Sequence, residues 1–229
     1  MKTIELPTKG ISYVTFTFLL ALYFALVVNI PIYKELVHIF SSLDQVKIGF
    51  IITIPIFFFA ALNFLFNLFS WPWISKPFFI LLLITSGMVS YASYNYGTLF
   101  DTDMITNIVE TDSSEASSYL SAYSVIWTLI MGVVPAILVF KVKLKPIEGK
   151  WLRFTLTKAV SMLASLAIIA VIAGLYYQDY ASVGRNNSYL KKVIIPTQYV
   201  YAISGYVKEN YLTTPVSYTH LTLPTTPVV

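Results

Sequence analysis

Five long apolar stretches without a single charged side chain constrain this sequence more than any other feature. They cover residues 12–32, 48–69, 78–94, 122–140 and 159–177. A helix needs about 20 mostly apolar residues to cross the hydrocarbon core of a bilayer. Charged residues make up only 11% of the chain, less than half of the roughly 25% that is usual in a soluble domain. The sequence therefore predicts an all-α membrane protein with about five transmembrane helices.

The basic residues predict the orientation of these helices. The third loop, residues 95–121, holds no lysine or arginine, whereas six basic residues crowd the fourth loop and its flank: Lys141, Lys143, Lys145, Lys150, Arg153 and Lys158. Cytoplasmic loops are enriched in lysine and arginine, so we expect a cytoplasmic N-terminus and an external C-terminal segment. Topology, together with contact to anionic lipid, accounts for the net charge of +4, and we expect no nucleic-acid partner. The first apolar stretch is longer than a signal-peptide core and is interpreted as a retained helix.

The third loop has the pattern of an amphipathic helix that begins near Asp101. Tyr96-Gly97 is typical of a turn. Beyond it, an apolar stripe is formed by Met104, Ile105, Ile108 and Val109, and a polar stripe by Asn107, Thr111 and Glu115. We expect this helix to lie in the membrane interface and not to cross the bilayer.

The same loop is strongly acidic, with no basic residue nearby in the sequence. Its acids are Asp101, Asp103, Glu110, Asp112 and Glu115. Carboxylates of this kind can hold a lipid ammonium group, while Asn107 and Thr111 can hydrogen-bond to a phosphate or glycerol oxygen. The alternative is that these side chains form only the solvated face of an interfacial helix.

No residue pattern in the chain predicts self-contained catalysis. There is no cysteine, and the two histidines, His38 and His220, form no paired metal motif. We therefore expect no catalytic residue, metal site or cofactor within this chain. His38 is expected at headgroup level, Trp71 and Trp73 as interfacial anchors, and Asn63 and Asn67 as interhelical hydrogen-bond formers.

The C-terminal part divides into two segments. Residues 178–214 mix tyrosine, valine, isoleucine and lysine and are expected to form a bridge along the membrane surface, after a transmembrane domain of residues 1–177. Residues 215–229 have no charge and no helical period, and they resemble the translated read-through of a sequencing adapter. We expect a non-native tail there, with the true protein continuing past about residue 214. A disordered native tail is the alternative.

The third loop also resembles a known family, the phosphoethanolamine–lipid A transferases, which include the mobile colistin-resistance enzymes. The resemblance is carried by Tyr96-Gly97-Thr98, Asp101, Met104, Asn107, Thr111-Asp112 and Glu115-Ala116. The segment of residues 180–209 is similar to the linker that follows the membrane helices in that family. The five-helix arrangement agrees with that family as well, so the resemblance covers essentially residues 1 to about 211.

The resemblance implies a function. Members of the family reside in the bacterial inner membrane and transfer phosphoethanolamine from phosphatidylethanolamine to lipid A, which confers polymyxin resistance. It also implies that a periplasmic domain with a threonine nucleophile and zinc performs the transfer, and that this domain is missing from the present chain, so that the fragment is inactive alone. Asn107, Thr111 and Glu115 match the positions that the family uses to bind the donor lipid.

Other functions remain open from the sequence. One is a non-enzymatic membrane scaffold that acts through a partner. Another is the membrane domain of a related transferase that modifies core sugars or periplasmic glucans. A small transporter fits least well, because the apolar stretches contain no ionisable residue and no clear repeat.

Overall fold

The chain folds into helices joined by short connections. A computed structural model describes residues 10–43, 45–112, 121–147 and 149–212, and no β-sheet forms within these ranges. The elements are α1 (Tyr13–Tyr23), continued by a π-helical turn (Phe24–Val28), α2 (Ile30–Ser41), α3 (Ile48–Phe69), α4 (Ser75–Tyr96), α5 (Thr102–Glu110), α6 (Ala122–Thr128), a second π-helical turn (Leu129–Val133), α7 (Val134–Lys141), α8 (Trp151–Asn186), a 3-10 turn (Ser188–Lys192), α9 (Thr197–Val207) and a last π-helical turn (Lys208–Leu212).

The prediction of an all-α chain with membrane-crossing helices is confirmed for the described residues, but the number of spans depends on the first helix. Within the described residues, four helices are long and apolar enough to cross a membrane: α3, α4, the α6–α7 unit and α8. A fifth span exists if Tyr13–Val28 and Ile30–Ser41 count as one, although they meet at a bend of 49°. The predicted first helix, residues 12–32, was therefore wrong at its end, because the chain breaks at Asn29 and continues as α2.

Two further helices extend beyond the predicted apolar stretches. Helix α4 was expected over residues 78–94, and α8 over residues 159–177; both continue through flanking polar and charged residues. Within α8, Tyr176 has non-helical backbone angles (φ −130°, ψ 18°), so the helix changes direction close to the predicted end of the transmembrane domain. The division of the chain at residues 177 and 214 stays a prediction.

The helices are arranged more as a row than as a closed bundle. Helix α3 packs against both α8 and α1, and α4 packs against both α2 and the α6–α7 unit. Buried phenylalanines join α1 and its π-helical turn to α3 and α4 through edge-to-face contacts: Phe16–Phe79 at 5.6 Å, Phe24–Phe66 at 5.1 Å and Phe66–Phe79 at 5.1 Å between ring centroids. These rings form the centre of the core.

Amide–hydroxyl contacts attach α8 to α3. The Asn63 amide donates to Ser165 Oγ at 2.9 Å and to Ser161 Oγ at 3.1 Å. Asn67 Nδ2 donates to the Asn63 carbonyl at 2.8 Å and to Ser161 Oγ at 3.3 Å. The predicted interhelical role of both asparagines is confirmed.

The break at Asn29 leaves backbone groups that side chains then satisfy. Proline at position 31 has no N–H to continue the hydrogen bonds of the preceding helix, and it is well tolerated in the first turn of a new helix, so it promotes a break before α2. Tyr33 Oη donates to the Ala25 carbonyl at 2.7 Å, and Ser90 Oγ of α4 donates to the Val28 carbonyl at 3.0 Å. A broken helix within a membrane is tolerated only when neighbouring groups replace its lost hydrogen bonds in this way.

The fully buried Asn29 side chain also holds a distant part of the chain. Its Nδ2 donates to the Phe24 carbonyl at 3.0 Å and to the Ile195 carbonyl at 2.6 Å, and its Oδ1 accepts the Ile195 N–H at 2.8 Å. Both backbone groups of Ile195 are thus paired with one side chain. The segment that follows α8 is thereby docked into the break between α1 and α2.

In the second π-helical turn, a side chain likewise replaces a missing backbone hydrogen bond. Pro135 cannot donate to the carbonyl of Met131, four residues earlier. Tyr23 Oη of α1 donates to that carbonyl instead, at 2.7 Å. Close by, α4 and the turn approach at two glycines, and a Cβ added at Gly87 would lie 3.0 Å from Gly132 Cα.

We predict that Asn29→Leu strongly destabilises the chain. Leucine fills similar space but leaves the Ile195 N–H and carbonyl buried without partners, and each such group costs about 1–3 kcal/mol. The matched control is Asn95→Leu, at an exposed asparagine whose amide donates only to the Tyr91 carbonyl of its own helix. The free energy of unfolding, measured by SDS titration, should fall by about 2 kcal/mol or more for Asn29→Leu. Equal, small losses in both variants would contradict the assignment.

Candidate functional site

The segment that follows α8 is packed into the protein and forms the base of the candidate site. It was expected to lie along the surface as a bridge, but its apolar residues Leu190, Val193, Ile195, Tyr199 and Ala202 are buried. Tyr199 Oη shares hydrogen bonds with Thr85 Oγ1 at 2.8 Å and Ser86 Oγ at 3.0 Å. Helix α9 is therefore attached to the side of α4.

Helix α5, in the third loop, begins at an aspartate that has two roles. Asp101 Oδ1 accepts the Met104 N–H at 3.1 Å and so caps the helix N-terminus. Its Oδ2 accepts a hydrogen bond from Lys192 Nζ at 2.9 Å. The acidic loop has no basic residue nearby in the sequence, but folding brings Lys192 of the 3-10 turn beside it. The Lys192 ammonium, followed by the Met104 N–H, lowers the pKa of Asp101 below its ordinary value.

Helix α5 packs against α9 through part of its predicted apolar stripe. Ile105 is buried and Met104 is half-buried, whereas Ile108 and Val109 remain exposed. The two helices approach closely at Gly205, where an added Cβ would lie 3.0 Å from Thr102 Oγ1. The exposed half of the stripe fits an interfacial helix, and its position in a membrane stays a prediction.

The predicted polar stripe is only partly helical. Helix α5 ends at Glu110, and Thr111 has extended backbone angles (φ −68°, ψ 128°), so Asn107 and Thr111 are not stacked on successive helical turns. Instead, Thr111 Oγ1 donates to the Asn107 carbonyl at 2.6 Å. Two features of the sequence favour the end of the helix here. Thr111 is β-branched, which lowers its helix propensity. Its neighbours Glu110 and Asp112 are acids, whereas the helix macrodipole favours cations at the C-terminus. Glu115 lies outside the described residues.

The C-terminal end of α5 has the electrostatics of a site for a cation. Two exposed acids, Glu110 and Asp112, stand at this end, which is the negative end of the helix dipole. A third exposed acid, Asp103, lies in the first turn of the same helix. The Asn107 amide is exposed beside them, and it can donate to an oxygen of an anionic group. The arrangement can therefore bind a zwitterion that carries an ammonium and a phosphate.

Two cavities lie near this region, on either side of Tyr189. The smaller, of about 110 Å³, is lined by Glu35, Ser93, Gly97, Thr98, Leu99, Tyr189 and Val193. The larger, of about 430 Å³, includes His38, Ser42, Ser182 and Asn186 in its lining. Neither is lined by Asn107 or Thr111, so the structure brings these two residues together but not into a closed pocket.

Sequence reasoning missed Tyr189 and its partner. Tyr189 Oη donates to Glu35 Oε2 at 3.0 Å, and burial together with this carboxylate raises the pKa of Tyr189. Nearby, Lys34 Nζ donates to the Tyr94 carbonyl at 2.8 Å and lies 4.7 Å from the centre of the Tyr94 ring. No local pattern signals these pairs, because each joins residues far apart in the sequence.

Among the described residues, no group of three or more histidine, cysteine, aspartate or glutamate side chains could hold a metal ion. Asp101 and Asp103 lie at the start of α5, whereas Glu110 and Asp112 lie at its end, so these acids do not converge. The described acids of the third loop therefore do not fit a zinc site.

We predict that the Asp101–Lys192 pair makes stability depend on pH in the acid range. Because the pKa of Asp101 is lowered by folding, its contribution is present above the unfolded value of about 3.9 and is lost as the pH falls through the folded value. Asp101→Asn keeps a capping side chain but removes the charge. It should shift the SDS unfolding midpoint downward at pH 7. This shift should shrink as the pH falls below about 4 and vanish once the pH is below the lowered pKa of folded Asp101. Asp103→Asn, at an exposed acid of the same helix, is the matched control; a pH-independent difference for Asp101→Asn would exclude the ion pair as the cause.

The fold and the site together define an integral membrane protein with a polar face at one end of its helices, and comparison with known proteins identifies its family. The family model described as phosphoethanolamine transferase EptA/EptB matches residues 58–211. The chain belongs to this phosphoethanolamine transferase family.

Individual relatives agree with this assignment. Phosphoethanolamine transferase EptA of Escherichia coli (strain K12) is 27% identical over 199 residues, which cover 86% of this chain and 36% of the relative. Phosphatidylethanolamine transferase Mcr-1 of Escherichia coli is 30% identical over 193 residues, which cover 83% of this chain and 35% of the relative. The present chain thus spans about a third of the length of these relatives.

A solved structure has the same fold. It is the integral membrane protein lipooligosaccharide phosphoethanolamine transferase A (EptA) from Neisseria meningitidis. The two structures have a TM-score of 0.76 and 30% sequence identity, and the match covers 87% of this chain and 37% of the other.

Proposed function

We propose that this chain is the membrane domain of a bacterial inner-membrane transferase that moves phosphoethanolamine from phosphatidylethanolamine to lipid A. Its N-terminus is cytoplasmic, and α5, α9 and the cavities beside Tyr189 face the periplasm. The transfer itself requires a periplasmic catalytic domain that works with this chain. Modified lipid A carries an added cationic group, which weakens its attraction for cationic peptides such as polymyxins.

The observation that carries this proposal is the likeness to EptA, at a TM-score of 0.76 over 87% of this chain. The relatives described above are named phosphoethanolamine transferase and phosphatidylethanolamine transferase. The basic loop at the opposite end of the helices from α5 supports the orientation, because lysine and arginine accumulate on the cytoplasmic side.

Within this function, Asn107, Thr111 and Glu115 are proposed to bind the donor lipid. The exposed acids at the end of α5 attract the ammonium of phosphatidylethanolamine, and the Asn107 amide donates to its phosphate. Thr111 Oγ1 already donates its hydrogen to the Asn107 carbonyl, so its hydroxyl can only accept a hydrogen bond from the ligand. The same hydrogen bond helps to fix the position of Asn107. The position of Glu115 in this site rests on the sequence.

The cofactor is assigned to the catalytic domain. Zinc there would act as a Lewis acid and activate the threonine nucleophile. The residues of this chain would position the donor lipid, hold its headgroup at the membrane surface and keep the docked segment after α8 in place.

We predict that a chimera of residues 1–211 with the periplasmic domain of Escherichia coli EptA modifies lipid A in cells that lack their own transferase. In this chimera, Asn107→Ala and Thr111→Ala should each lower the modified fraction by about tenfold, the scale expected when one or two hydrogen bonds to a charged group are lost. The readout is mass spectrometry of extracted lipid A.

The matched control is Thr155→Ala. Thr155 is an exposed threonine whose hydroxyl, like that of Thr111, donates to the backbone carbonyl four residues earlier, and it lies at the other end of the molecule. Parent-level modification in both loop variants would exclude the donor site while leaving the transferase function in place. A folded chimera that adds phosphoethanolamine to core sugars or glucans would identify a related transferase, and one that modifies nothing would favour a non-enzymatic scaffold.

A further inference from the structure

The connection between α7 and α8 is held in one conformation by the N-terminal segment. The Ile11 N–H donates to the Lys143 carbonyl at 3.0 Å, and the Lys145 N–H donates to the Ile11 carbonyl at 3.0 Å. Ile11 and Leu144 thus form a parallel bridge. The contact is tight, because a Cβ added at Gly10 would lie 2.9 Å from the Lys143 carbonyl oxygen.

Because this connection is extended, its side chains alternate between two sides. Val142 and Leu144 are half-buried and pack against the hydrophobic core. Lys141, Lys143 and Lys145 are exposed on the other side. The extended segment therefore presents Lys143 and Lys145 on one side, with about 7 Å between their Cα atoms. Lys141 lies just before them, at the end of α7.

Two more cations extend this row at the start of α8. Lys150 and Arg153 are both exposed, and with the three lysines they form what we call the basic patch. Neither of the ion pairs that the described residues make involves the patch. The sequence holds one acid in this stretch, Glu148, which lies outside the described residues.

The surroundings of the basic patch belong to a membrane surface. Trp73 is 92% exposed and Trp151 is 52% exposed, and tryptophan concentrates where lipid headgroups meet the hydrocarbon. Phe140 and Leu152, which flank the patch in α7 and α8, are also largely exposed. A soluble polyanion would meet only the charges, whereas a phospholipid matches both the charges and the apolar flanks.

We propose that the basic patch is a binding site for anionic phospholipid headgroups, at the end of the helices opposite the donor site. The phosphodiester binds between Lys143 and Lys145, with Lys141, Lys150 and Arg153 around it, and the acyl chains lie along α7 and the start of α8. The site holds this end of the chain at a fixed depth and is independent of the acceptor of the transferase.

The test uses the full chain, purified in a neutral detergent and titrated with phosphatidylglycerol or phosphatidylcholine under native mass spectrometry. Lys143→Gln with Lys145→Gln should weaken phosphatidylglycerol binding by roughly ten- to thirtyfold, because each surface cation contributes a severalfold factor. Phosphatidylcholine binding should be unchanged. Higher salt should weaken phosphatidylglycerol binding in the parent chain.

The matched control is Arg185→Gln with Lys191→Gln, which removes the same charge from exposed residues at the other end of the molecule. Equal weakening in both pairs would show that only net charge matters and would overturn the proposal. So would unchanged binding in the patch variant, or full competition by soluble glycerol phosphate. Lys143→Arg with Lys145→Arg preserves the charge and should bind like the parent, which separates loss of charge from a folding defect.

Discussion

The arrangement of this protein depends on the hydrogen bonds of one buried asparagine. Asn29 stands where the first helix breaks, and its amide pairs with both the N–H and the carbonyl of Ile195. In a membrane there is no water to satisfy a broken backbone, so such a break persists only if partners replace the missing bonds. Here the partner is the segment that follows the last long helix. Break and segment therefore stabilise each other.

This contact determines the position of α9 and, through it, of α5. Once Ile195 is fixed, Tyr199 reaches Thr85 and Ser86 of α4, and α9 supports α5. On the other side of Ile195, Lys192 reaches the aspartate that caps α5. The short helix with Asn107 is thus held by contacts that begin at Asn29. The headgroup site proposed for this short helix would depend on this support for its precision.

The sequence predicted the membrane helices well, because few structures other than a membrane-spanning helix can accommodate an apolar run of this length without a charge. It placed their ends less well, since helices α4 and α8 continue through polar and charged residues that a hydropathy criterion excludes. It predicted an interhelical role for Asn63 and Asn67, but not the role of Asn29, whose partner is 166 residues away. Lys192 and Asp101, 91 residues apart, were missed for the same reason. The polar stripe was extended beyond Glu110 because periodicity shows which residues share a helix face but not where the helix stops.

The most direct test of this account is disulfide cross-linking between α5 and α9 in native membranes. The chain has no cysteine, so Thr102→Cys with Gly205→Cys introduces the only pair. The close approach at these positions puts the two sulfurs within bonding reach. The account predicts nearly complete intrachain cross-linking on mild oxidation, and much less when Asn29→Leu is added. An uncross-linked pair, or a pair indifferent to Asn29, would contradict the claim that the docked segment organises this face.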